Sequence, residues 1–491
     1  MPKCTINGKE VVVKDGATIM EAFSQLKEDI AYYCWHPGLS VAGVCRMCMV
    51  EVEGNPKLQI ACNTPVVEGM KVTNKTEKVK ESVKWTLDFH LINHPLDCPI
   101  CDQAGECGLQ EFYMTYGKYD PEMGEKKEKK HKVVDLGPTV VLDSERCILC
   151  SRCVRFTEEV TKTNELGIFN RGDHSEIGTF ENRPLDNKYS VNTVDICPVG
   201  ALTSKDFRFR QRVWYLKDFE TTCNGCATGC AVKISHNQNG LFRVKPVYDE
   251  KVNGHWMCDE GRDVYKFVNL EARLRHAQGK NGQLSTREAL EQAAQTLKKH
   301  GPQAIALLLT AQYTNEELSD ITKYFTTELK SKNIFHWKNN EATFDTFDGL
   351  LIRGDKNPNT AGLQKVMKDS GAQGSLKDLM KLVEAGTIKA VVVAGPENLA
   401  VYPELDSVAK SLTKVSDVIW LSSCKSPGFA GFSYQIPMKS FAEKDGTFTN
   451  YAGEIRKVKR GVNFVPEAVS LSEAVHYMKG VPATTIAEVN A

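Results

Sequence analysis

The distribution of cysteine constrains this chain more than any other feature of its sequence. The 491 residues include 17 cysteines, and all but Cys424 lie between Cys4 and Cys258. Residues 1–10 lack the basic and apolar segments of a secretory signal peptide, so we expect a reducing compartment. In such a compartment, grouped cysteines bind metal more often than they form disulfides. The cysteine groups are therefore where the function should be sought.

Charge and hydropathy narrow the class of partner. The chain has 62 lysine and arginine residues against 62 aspartate and glutamate residues, so its formal net charge is zero. Nucleic acid or an acidic membrane surface is therefore not expected as the main partner. The longest apolar stretch, residues 304–311, is far shorter than the roughly 20 residues that cross a bilayer. The length suggests about three domains.

The first 78 residues predict a small α+β domain. An Asn7-Gly8 turn between alternating apolar residues indicates a β-hairpin. Thr18 is placed to cap a helix over 19–26, and strand-like segments follow at 47–52, 58–61 and 70–73.

This domain contains a group of cysteines that we call the first set. Its members are Cys34, Cys45, Cys48 and Cys62. Plant-type [2Fe–2S] ferredoxins use C-x4-C-x2-C spacing with a distant fourth cysteine. The first gap is longer here, at ten residues. Spacing and surroundings together predict a [2Fe–2S] cluster in a β-grasp fold, with a four-thiolate zinc site as the alternative.

The second set contains one histidine. Its members are His94, Cys98, Cys101 and Cys107. Three thiolates at this spacing can hold three corners of a [4Fe–4S] cluster, and they lack a nearby fourth cysteine. We therefore expect the imidazole of His94 to be the fourth ligand, with His90, one helical turn earlier, as the rival. The preceding segment, from residue 79 to Pro95, predicts a helix with Val83, Leu87 and Phe89 among its apolar positions.

The third set gives the strongest signal in the chain. Its members are Cys147, Cys150, Cys153 and Cys197. A C-x2-C-x2-C run followed by Cys-Pro is the bacterial ferredoxin pattern for [4Fe–4S]. No second triplet stands beside Cys197, so one cluster held by all four cysteines is expected. Arg146, Arg152 and Arg155 either lie near that cluster and influence its potential or form a solvated face.

The fourth set completes the ligand count. Its members are Cys223, Cys226, Cys230 and Cys258. Gly225, Gly229 and Gly261 allow close backbone approach, and a third [4Fe–4S] cluster is expected, with zinc as the alternative. Four sets need sixteen ligands, which fifteen cysteines and one histidine supply. Cys4 and Cys424 remain and are expected to be buried packing residues.

From about residue 273 the composition changes. Continuous apolar runs at 304–310, 389–394 and 417–422 suit strands buried on both faces, and helical segments between them predict a parallel doubly wound sheet. No Gly-rich nucleotide-binding motif is present. The predicted domains are a [2Fe–2S] β-grasp domain (1–78), a one-histidine, three-cysteine [4Fe–4S] domain (79–136), a ferredoxin-like [4Fe–4S] domain (137–215), a fourth cluster domain (216–272) and an α/β domain (273–491).

The order of these sets resembles a known family. The stretches that carry the resemblance are AGVCRMCMVEVEG (42–54), HPLDCPICDQAGECGLQ (94–110), RCILCSRCVRF (146–156) and DICPVGALTSKDFRF (195–209). Together they resemble the large iron–sulfur subunit, of the G or 75-kilodalton type, of NADH–quinone oxidoreductase, respiratory complex I. More loosely, 273–297 and 443–458 resemble a molybdopterin oxidoreductase domain, here shortened and lacking a cysteine to bind molybdenum.

The resemblance implies an electron-transfer subunit of an oxidoreductase without a catalytic residue of its own. Its cofactors would be one [2Fe–2S] and three [4Fe–4S] clusters, without molybdopterin. Electrons would arrive from an FMN- and [4Fe–4S]-bearing, NADH-oxidising subunit. Its other partners would be a [2Fe–2S] subunit and the hydrophilic quinone-side subunits. The protein would lie on the cytoplasmic side of the inner membrane, in the peripheral arm, and touch the membrane only through the complex.

Two other functions are weighed against this one. An iron–sulfur subunit of an NAD-linked hydrogenase or formate dehydrogenase shares the N-terminal clusters. An iron-only hydrogenase needs several more cysteines, however, and a formate dehydrogenase needs a full molybdopterin domain. A zinc-stabilised scaffold is the non-redox alternative, and it predicts colourless protein.

Overall fold

The computed structural model describes residues 1–117, 124–180, 183–372 and 374–481. The chain divides into two compact units, Met1–Leu216 and Lys217–Ala491, which we call the N-terminal and C-terminal units. Among these described residues, no helix has the length and apolar character needed to cross a bilayer.

The N-terminal unit begins with the predicted α+β domain. Its elements are β1 (Lys3–Ile6), β2 (Lys9–Val12), α1 (Ile19–Leu26), β3 (Met49–Val52), β4 (Gln59–Ile60) and β5 (Met70–Thr73). The sheet order is β2-β1-β5-β3-β4, with β1 parallel to β5. Thr18 caps α1 as expected, and Glu21 completes a capping box by accepting the Thr18 backbone N–H. The predicted hairpin and helix are confirmed.

Shorter elements make up the rest of this unit. They are α2 (Glu77–Leu91), α3 (Gly108–Tyr116), β6 (Val134–Asp135), β7 (Val140–Leu142), α4 (Arg152–Arg155), β8 (Leu166–Phe169), β9 (Glu176–Thr179), α5 (Asn192–Asp195) and β10 (Leu202–Ser204). The predicted apolar face of α2 is confirmed for Val83 and Leu87, which are buried. It is wrong for Phe89, whose ring is on the outer face and 64% exposed.

The C-terminal unit opens with a three-stranded antiparallel sheet, β11 (Lys217–Thr222), β12 (Ala231–Asn237) and β13 (Gly240–Pro246). The elements that follow are α6 (Asp259–Arg262), β14 (Ala277–Gly279), β15 (Gly282–Leu284), α7 (Thr286–Lys298), β16 (Ile305–Thr310), α8 (Asn315–Lys323), β17 (Ile334–Trp337), α9 (Thr360–Ser370), β18 (Gly374–Ser375), α10 (Leu376–Glu384), β19 (Ala390–Ala394), α11 (Leu405–Leu412), β20 (Asp417–Ser422), β21 (Tyr434–Pro437), β22 (Gly446–Thr449), β23 (Ile455–Val458) and α12 (Leu471–Met478).

An eight-stranded sheet forms the centre of this unit, in the order β15-β14-β21-β20-β19-β16-β17-β18. The strands from β21 to β18 are parallel, as predicted, and alternate side chains of β16 enter two separate cores on the two faces of the sheet. The edge differs from the prediction, because the β14–β15 hairpin adds two antiparallel strands there. Helix α8 ends at Lys323, and the chain continues as a π-helical turn over Tyr324–Glu328.

A buried charge cluster lies in the C-terminal unit. The Lys444 ammonium forms ion pairs with Glu317 at 2.8 Å and with Glu397 at 2.6 Å, and all three side chains are at most 3% exposed. Burial raises the pKa of Glu397 to about 7, because the attraction of Lys444 only partly offsets the loss of water around the carboxylate.

Candidate metal centres

The first set lies at the edge of the β-grasp sheet, where all four thiols are buried. Cys45 and Cys48 lie on the loop before β3, and Cys62 follows β4 in a short 3-10 turn. The Cys34 thiol contacts those of Cys45 and Cys62, and Cys48 contacts Cys62. The backbone N–H of Tyr33 donates to the Cys45 sulfur at 3.4 Å. The fold of this domain therefore brings together the four predicted cysteines.

Contacts between the first-set thiols shift their pKa values in opposite directions. Hydrogen bonds from the Cys45 and Cys62 thiols lower the pKa of Cys34, and a hydrogen bond from Cys62 lowers that of Cys48. The pKa values of Cys45 and Cys62 rise, since each donates to a neighbouring thiolate. Bound cationic metal would favour the deprotonated form of all four.

The surroundings of His94 and His90 differ, and they distinguish these two candidates for the fourth ligand of the second set. His94 is 9% exposed, and its Nδ1 atom is buried without a hydrogen-bond partner. Burial lowers the pKa of His94 to about 4, so the imidazole is neutral at pH 7, as a metal ligand must be. His90 instead places Nε2 at 3.2 Å from the Cys45 carbonyl and its ring edge-on against Tyr33. The unpartnered nitrogen of His94 fits a ligand role better.

The cysteines of the second set lie on the turn that follows α2. Cys98 opens a 3-10 turn, and Cys107 is the residue immediately before α3. Cys101 is within electrostatic reach of both of these thiols. Burial raises the pKa of Cys101 and raises that of Cys107 to about 11.

The third set surrounds one cavity. All four thiols line it, together with apolar side chains that include Leu142, Ile177 and Leu202. Leu149 and Ser151 adopt left-handed backbone conformations, with φ of 54° and 58°, so the triplet curls around the cavity. Burial raises the pKa of Cys147 to about 12 and that of Cys150 to about 11.

The fourth set surrounds a second cavity, in the C-terminal unit. Its four cysteines line this cavity, together with Met257 and the three glycines predicted to allow close approach. A Cβ atom on Gly261 would lie 3.3 Å from the Cys258 sulfur and 3.4 Å from that of Cys223. The Gly261 N–H donates to the Cys258 sulfur at 3.3 Å.

The thiols of the third and fourth sets line the walls of two cavities. This arrangement fits iron–sulfur clusters, which are held by thiolates around their periphery.

Two buried arginines connect the first and third sets. Arg155 donates to the Cys34 carbonyl at 2.5 Å and to the Cys150 carbonyl at 3.4 Å, and it also donates to the Ser40 carbonyl. Arg152 donates to the carbonyls of Trp35 and Ile196 at 2.6 and 2.8 Å. Both side chains are 8% exposed.

A third buried arginine connects the second and third sets. Arg146 forms a two-pronged ion pair with Asp97 at 2.7 and 2.9 Å. The Gly108 N–H donates to the Pro198 carbonyl at 3.0 Å, which joins the residue after Cys107 to the residue after Cys197. The solvated face that is one of the two predicted alternatives for these arginines is excluded, because all three are buried.

Gly200 lies against the second set, which the spacing of the cysteines does not predict. A Cβ atom there would lie 2.2 Å from the Cys101 sulfur. It follows Cys197 by three residues in the sequence, but its approach to the second set depends on tertiary structure. Cys4 and Cys424 are 1% and 4% exposed, which confirms their predicted role as packing residues.

Four family models match successive parts of the chain. They are the 2Fe-2S iron-sulfur cluster binding domain (3–77), the NADH-ubiquinone oxidoreductase-G iron-sulfur binding region (84–121), the ferredoxin-like domain of NADH-quinone oxidoreductase subunit 3 (137–203) and the molybdopterin oxidoreductase Fe4S4 domain (216–270).

Relatives of known name match the same region. The G subunit of NADH-quinone oxidoreductase from Rickettsia felis is 38% identical over 311 residues, which cover 63% of this chain and 46% of the relative. The corresponding Streptomyces coelicolor protein is 40% identical over 60% of this chain and 36% of its own length. The NADH-ubiquinone oxidoreductase 75 kDa subunit of Reclinomonas americana is 41% identical over 57% of this chain and 40% of its own length. The match therefore spans less than half the length of each relative.

Two solved structures show limited similarity. A chain of the NAD+-reducing [NiFe]-hydrogenase in its H2-reduced state has a TM-score of 0.40 and 28% identity, covering 43% of this chain and 91% of that chain. Acetylene hydratase from Pelobacter acetylenicus has a TM-score of 0.36 and 9% identity, and the match covers 53% of this chain and 68% of that chain.

The fold and the four donor sets define an iron–sulfur protein with domains of the [2Fe–2S] and [4Fe–4S] types, followed by an α/β region. Its matched region is homologous to the large iron–sulfur subunits of NADH–quinone oxidoreductase, which confirms the resemblance predicted from the sequence.

Proposed function

We propose that this chain is an electron-transfer subunit of an NADH–quinone oxidoreductase. It would relay electrons from an FMN-bearing, NADH-oxidising subunit toward the quinone-reducing subunits. The observation that carries the proposal is that cysteines of the first, second and third sets enter one continuous hydrophobic core of the N-terminal unit. The homology of this region to subunits named for that activity supports it.

The proposed cofactors are one [2Fe–2S] cluster in the first set and one [4Fe–4S] cluster in each of the other three sets, without molybdopterin. Bound clusters supply one-electron redox chemistry at potentials set by ligands, hydrogen bonds to sulfur and burial. His94 would replace one anionic thiolate with a neutral ligand and make the second site less negative. The backbone N–H of Tyr33 would donate to a first-set sulfur. Apolar walls would exclude water from the third site.

Direct contacts support a role for the third set between the other two in the N-terminal unit. Arg155 contacts backbone carbonyls of Cys34 and Cys150, and the Gly108–Pro198 hydrogen bond joins segments of the second and third sets. Tyr33 provides a further contact between the first and second sets, since its hydroxyl is within electrostatic reach of Cys45 and Cys107. The fourth set belongs to the C-terminal unit.

The proposed partners are the FMN- and [4Fe–4S]-bearing subunit, a [2Fe–2S] subunit and the hydrophilic quinone-side subunits. The chain would lie in the peripheral arm on the cytoplasmic side of the inner membrane and touch the membrane only through those partners.

Paired cysteine variants test the relay in the assembled complex. Cys150→Ala removes a third-set ligand, and NADH-driven quinone reduction should fall by at least tenfold. Cys4→Ala is the matched control, because Cys4 is a buried cysteine that belongs to no set. Equal quinone reduction by the two variants, with both chains present in the complex, would refute the relay.

A further inference from the structure

One buried tyrosine lies between the first and second sets. Tyr33 precedes Cys34 in the sequence, and its side chain is fully buried in the core that also contains Cys45 and Cys107. Its backbone N–H donates to the Cys45 sulfur at 3.4 Å. The main chain of this residue therefore belongs to the surroundings of the first set.

Three contacts fix the direction of the Tyr33 ring. The ring packs edge-on against His90 of α2, with ring centres 5.1 Å apart, and its centre lies 5.4 Å from that of Phe112 of α3. A Cβ atom on Gly108, the residue after Cys107, would lie 4.0 Å from Cε1 of this ring. Because Cε1 is bonded to the carbon that carries the hydroxyl, the hydroxyl end of the ring lies beside the second set.

The Tyr33 hydroxyl is buried, and it has no hydrogen-bond partner among the described residues. Nearly all buried polar groups have a partner, so an unpaired one in a native structure needs an explanation, such as a bound ion. Burial without a partner is unfavourable, because no new hydrogen bond replaces those to water. The hydroxyl therefore marks a position where the functional protein should supply an acceptor.

Two cysteines from different sets are candidates for that acceptor. Burial raises the pKa of Tyr33, and the thiols of Cys107 and Cys45 raise it further, with the larger effect from Cys107. Since both thiols are buried, the larger effect indicates the shorter distance. The contact at Gly108 and this electrostatic order both favour Cys107 of the second set.

We propose that the Tyr33 hydroxyl donates a hydrogen bond to the Cys107 sulfur when that thiolate ligates the second-set cluster, and that this bond raises the reduction potential of the cluster. The bond withdraws electron density from the sulfur and therefore favours the reduced cluster. The neutral His94 ligand would act in the same direction. The inference rests on the proposed cofactor of the second set and adds a residue from the first-set segment that controls its potential.

Redox titration monitored by electron paramagnetic resonance (EPR), on the anaerobically purified full chain, tests this assignment. Cys98→Ala identifies the second-set signal, because it removes a ligand of that set. Tyr33→Phe removes only the hydroxyl and keeps the buried ring. At any fixed potential, the reduced-to-oxidised ratio of the second-set cluster should fall at least threefold in this variant. That change corresponds to about 28 mV, at about 59 mV per tenfold change.

Tyr324→Phe is the matched control. The Tyr324 hydroxyl is also buried without a hydrogen-bond partner among the described residues, but its ring belongs to the core of the α/β sheet in the C-terminal unit. If Tyr33→Phe shows the same second-set potential as this control, the proposal is refuted. A change in the first-set potential as large as that in the second set would assign the hydroxyl to Cys45 and would also refute it.

Proton electron–nuclear double resonance on the second-set signal supplies a measurement that does not depend on potential. The unmodified chain should show a coupled proton that is lost after purification in D2O, and Tyr33→Phe should lack this proton in H2O. The same exchangeable proton couplings in both chains would overturn the assignment.

The outcomes separate this inference from the proposed cofactor. If the unmodified chain has no EPR signal that Cys98→Ala removes, the [4Fe–4S] cluster proposed for the second set itself fails. If Tyr33→Phe contains about four fewer irons, the hydroxyl is needed for the cluster to form and not to set its potential, so the inference fails. If the signal is present and its potential is unchanged in Tyr33→Phe, only the inference fails.

Discussion

Replacing Gly200 with alanine should remove one cluster and leave the others. The added Cβ atom would lie 2.2 Å from the Cys101 sulfur, whereas ordinary contacts begin at 3.4 Å. The sulfur or the backbone around residue 200 must therefore move by about 1.2 Å, the difference between these distances. Metal–ligand distances tolerate deviations of about 0.2 Å. Because this shift is about six times that tolerance, the second site should not keep its cluster.

The assay is iron analysis with EPR on anaerobically purified, reduced protein. Gly200→Ala should contain about four fewer irons than the unmodified chain and lack one [4Fe–4S] signal. The same substitution at Gly108 is the matched control, because a Cβ atom there meets nothing closer than 3.4 Å. Full iron content and an unchanged spectrum in Gly200→Ala would refute the assigned position of Cys101 beside this glycine.

Three further predictions concern charge and capping. Arg155→Met removes a buried cation between the first and third sets, so the reduction potentials of both clusters should fall in EPR-monitored titrations. Arg155→Lys keeps the positive charge, so both potentials should fall less. A change in potential confined to the second set would contradict this prediction. The folded-state pKa of Glu397, about 7, exceeds its unfolded value of about 4.3, so stability should decrease as pH rises between these values. In unfolding temperatures measured from pH 5 to 8, Glu397→Gln should flatten this pH dependence. An unchanged pH dependence would contradict the raised pKa of Glu397. Thr18→Ala should destabilise the β-grasp domain by about 1 kcal/mol in denaturant titrations without changing EPR spectra, and loss of the [2Fe–2S] signal would show that the cap also supports the cluster.

Local signals in the sequence predict much of this fold. The helix Ile19–Leu26 has the predicted bounds, because Thr18 and Glu21 specify its start within four residues. The continuous apolar run at Asp417–Ser422 also forms the predicted strand, since it is buried on both faces of a parallel sheet.

Features that depend on distant residues are harder to predict. Phe89 fits the apolar spacing of α2, yet tertiary packing leaves it outside the core. The helix that begins at Asn315 loses its regular pattern at Tyr324, where a π-helical turn takes over. The β14–β15 hairpin has a glycine-flanked turn, but its pairing with the sheet edge depends on residues about 150 positions away.

The candidate sites also combine features that local sequence signals predict with features that depend on distant residues. Spacing alone groups the cysteines, because most ligands of a set are close in sequence. The environment of each set is assembled from remote segments. Arg155 lies 121 residues from Cys34, and only the folded chain shows that its guanidinium binds that carbonyl. The patterns C-x2-C-x2-C and Cys-Pro carry no information about such contacts.

The central claim is that four donor sets hold iron–sulfur clusters. Iron, sulfide and zinc analysis of the anaerobically purified full chain, with EPR after reduction, tests it most directly. The account predicts about fourteen irons per chain, one [2Fe–2S] signal, three [4Fe–4S] signals and no stoichiometric zinc. Colourless protein with about four zinc ions and no iron would contradict it.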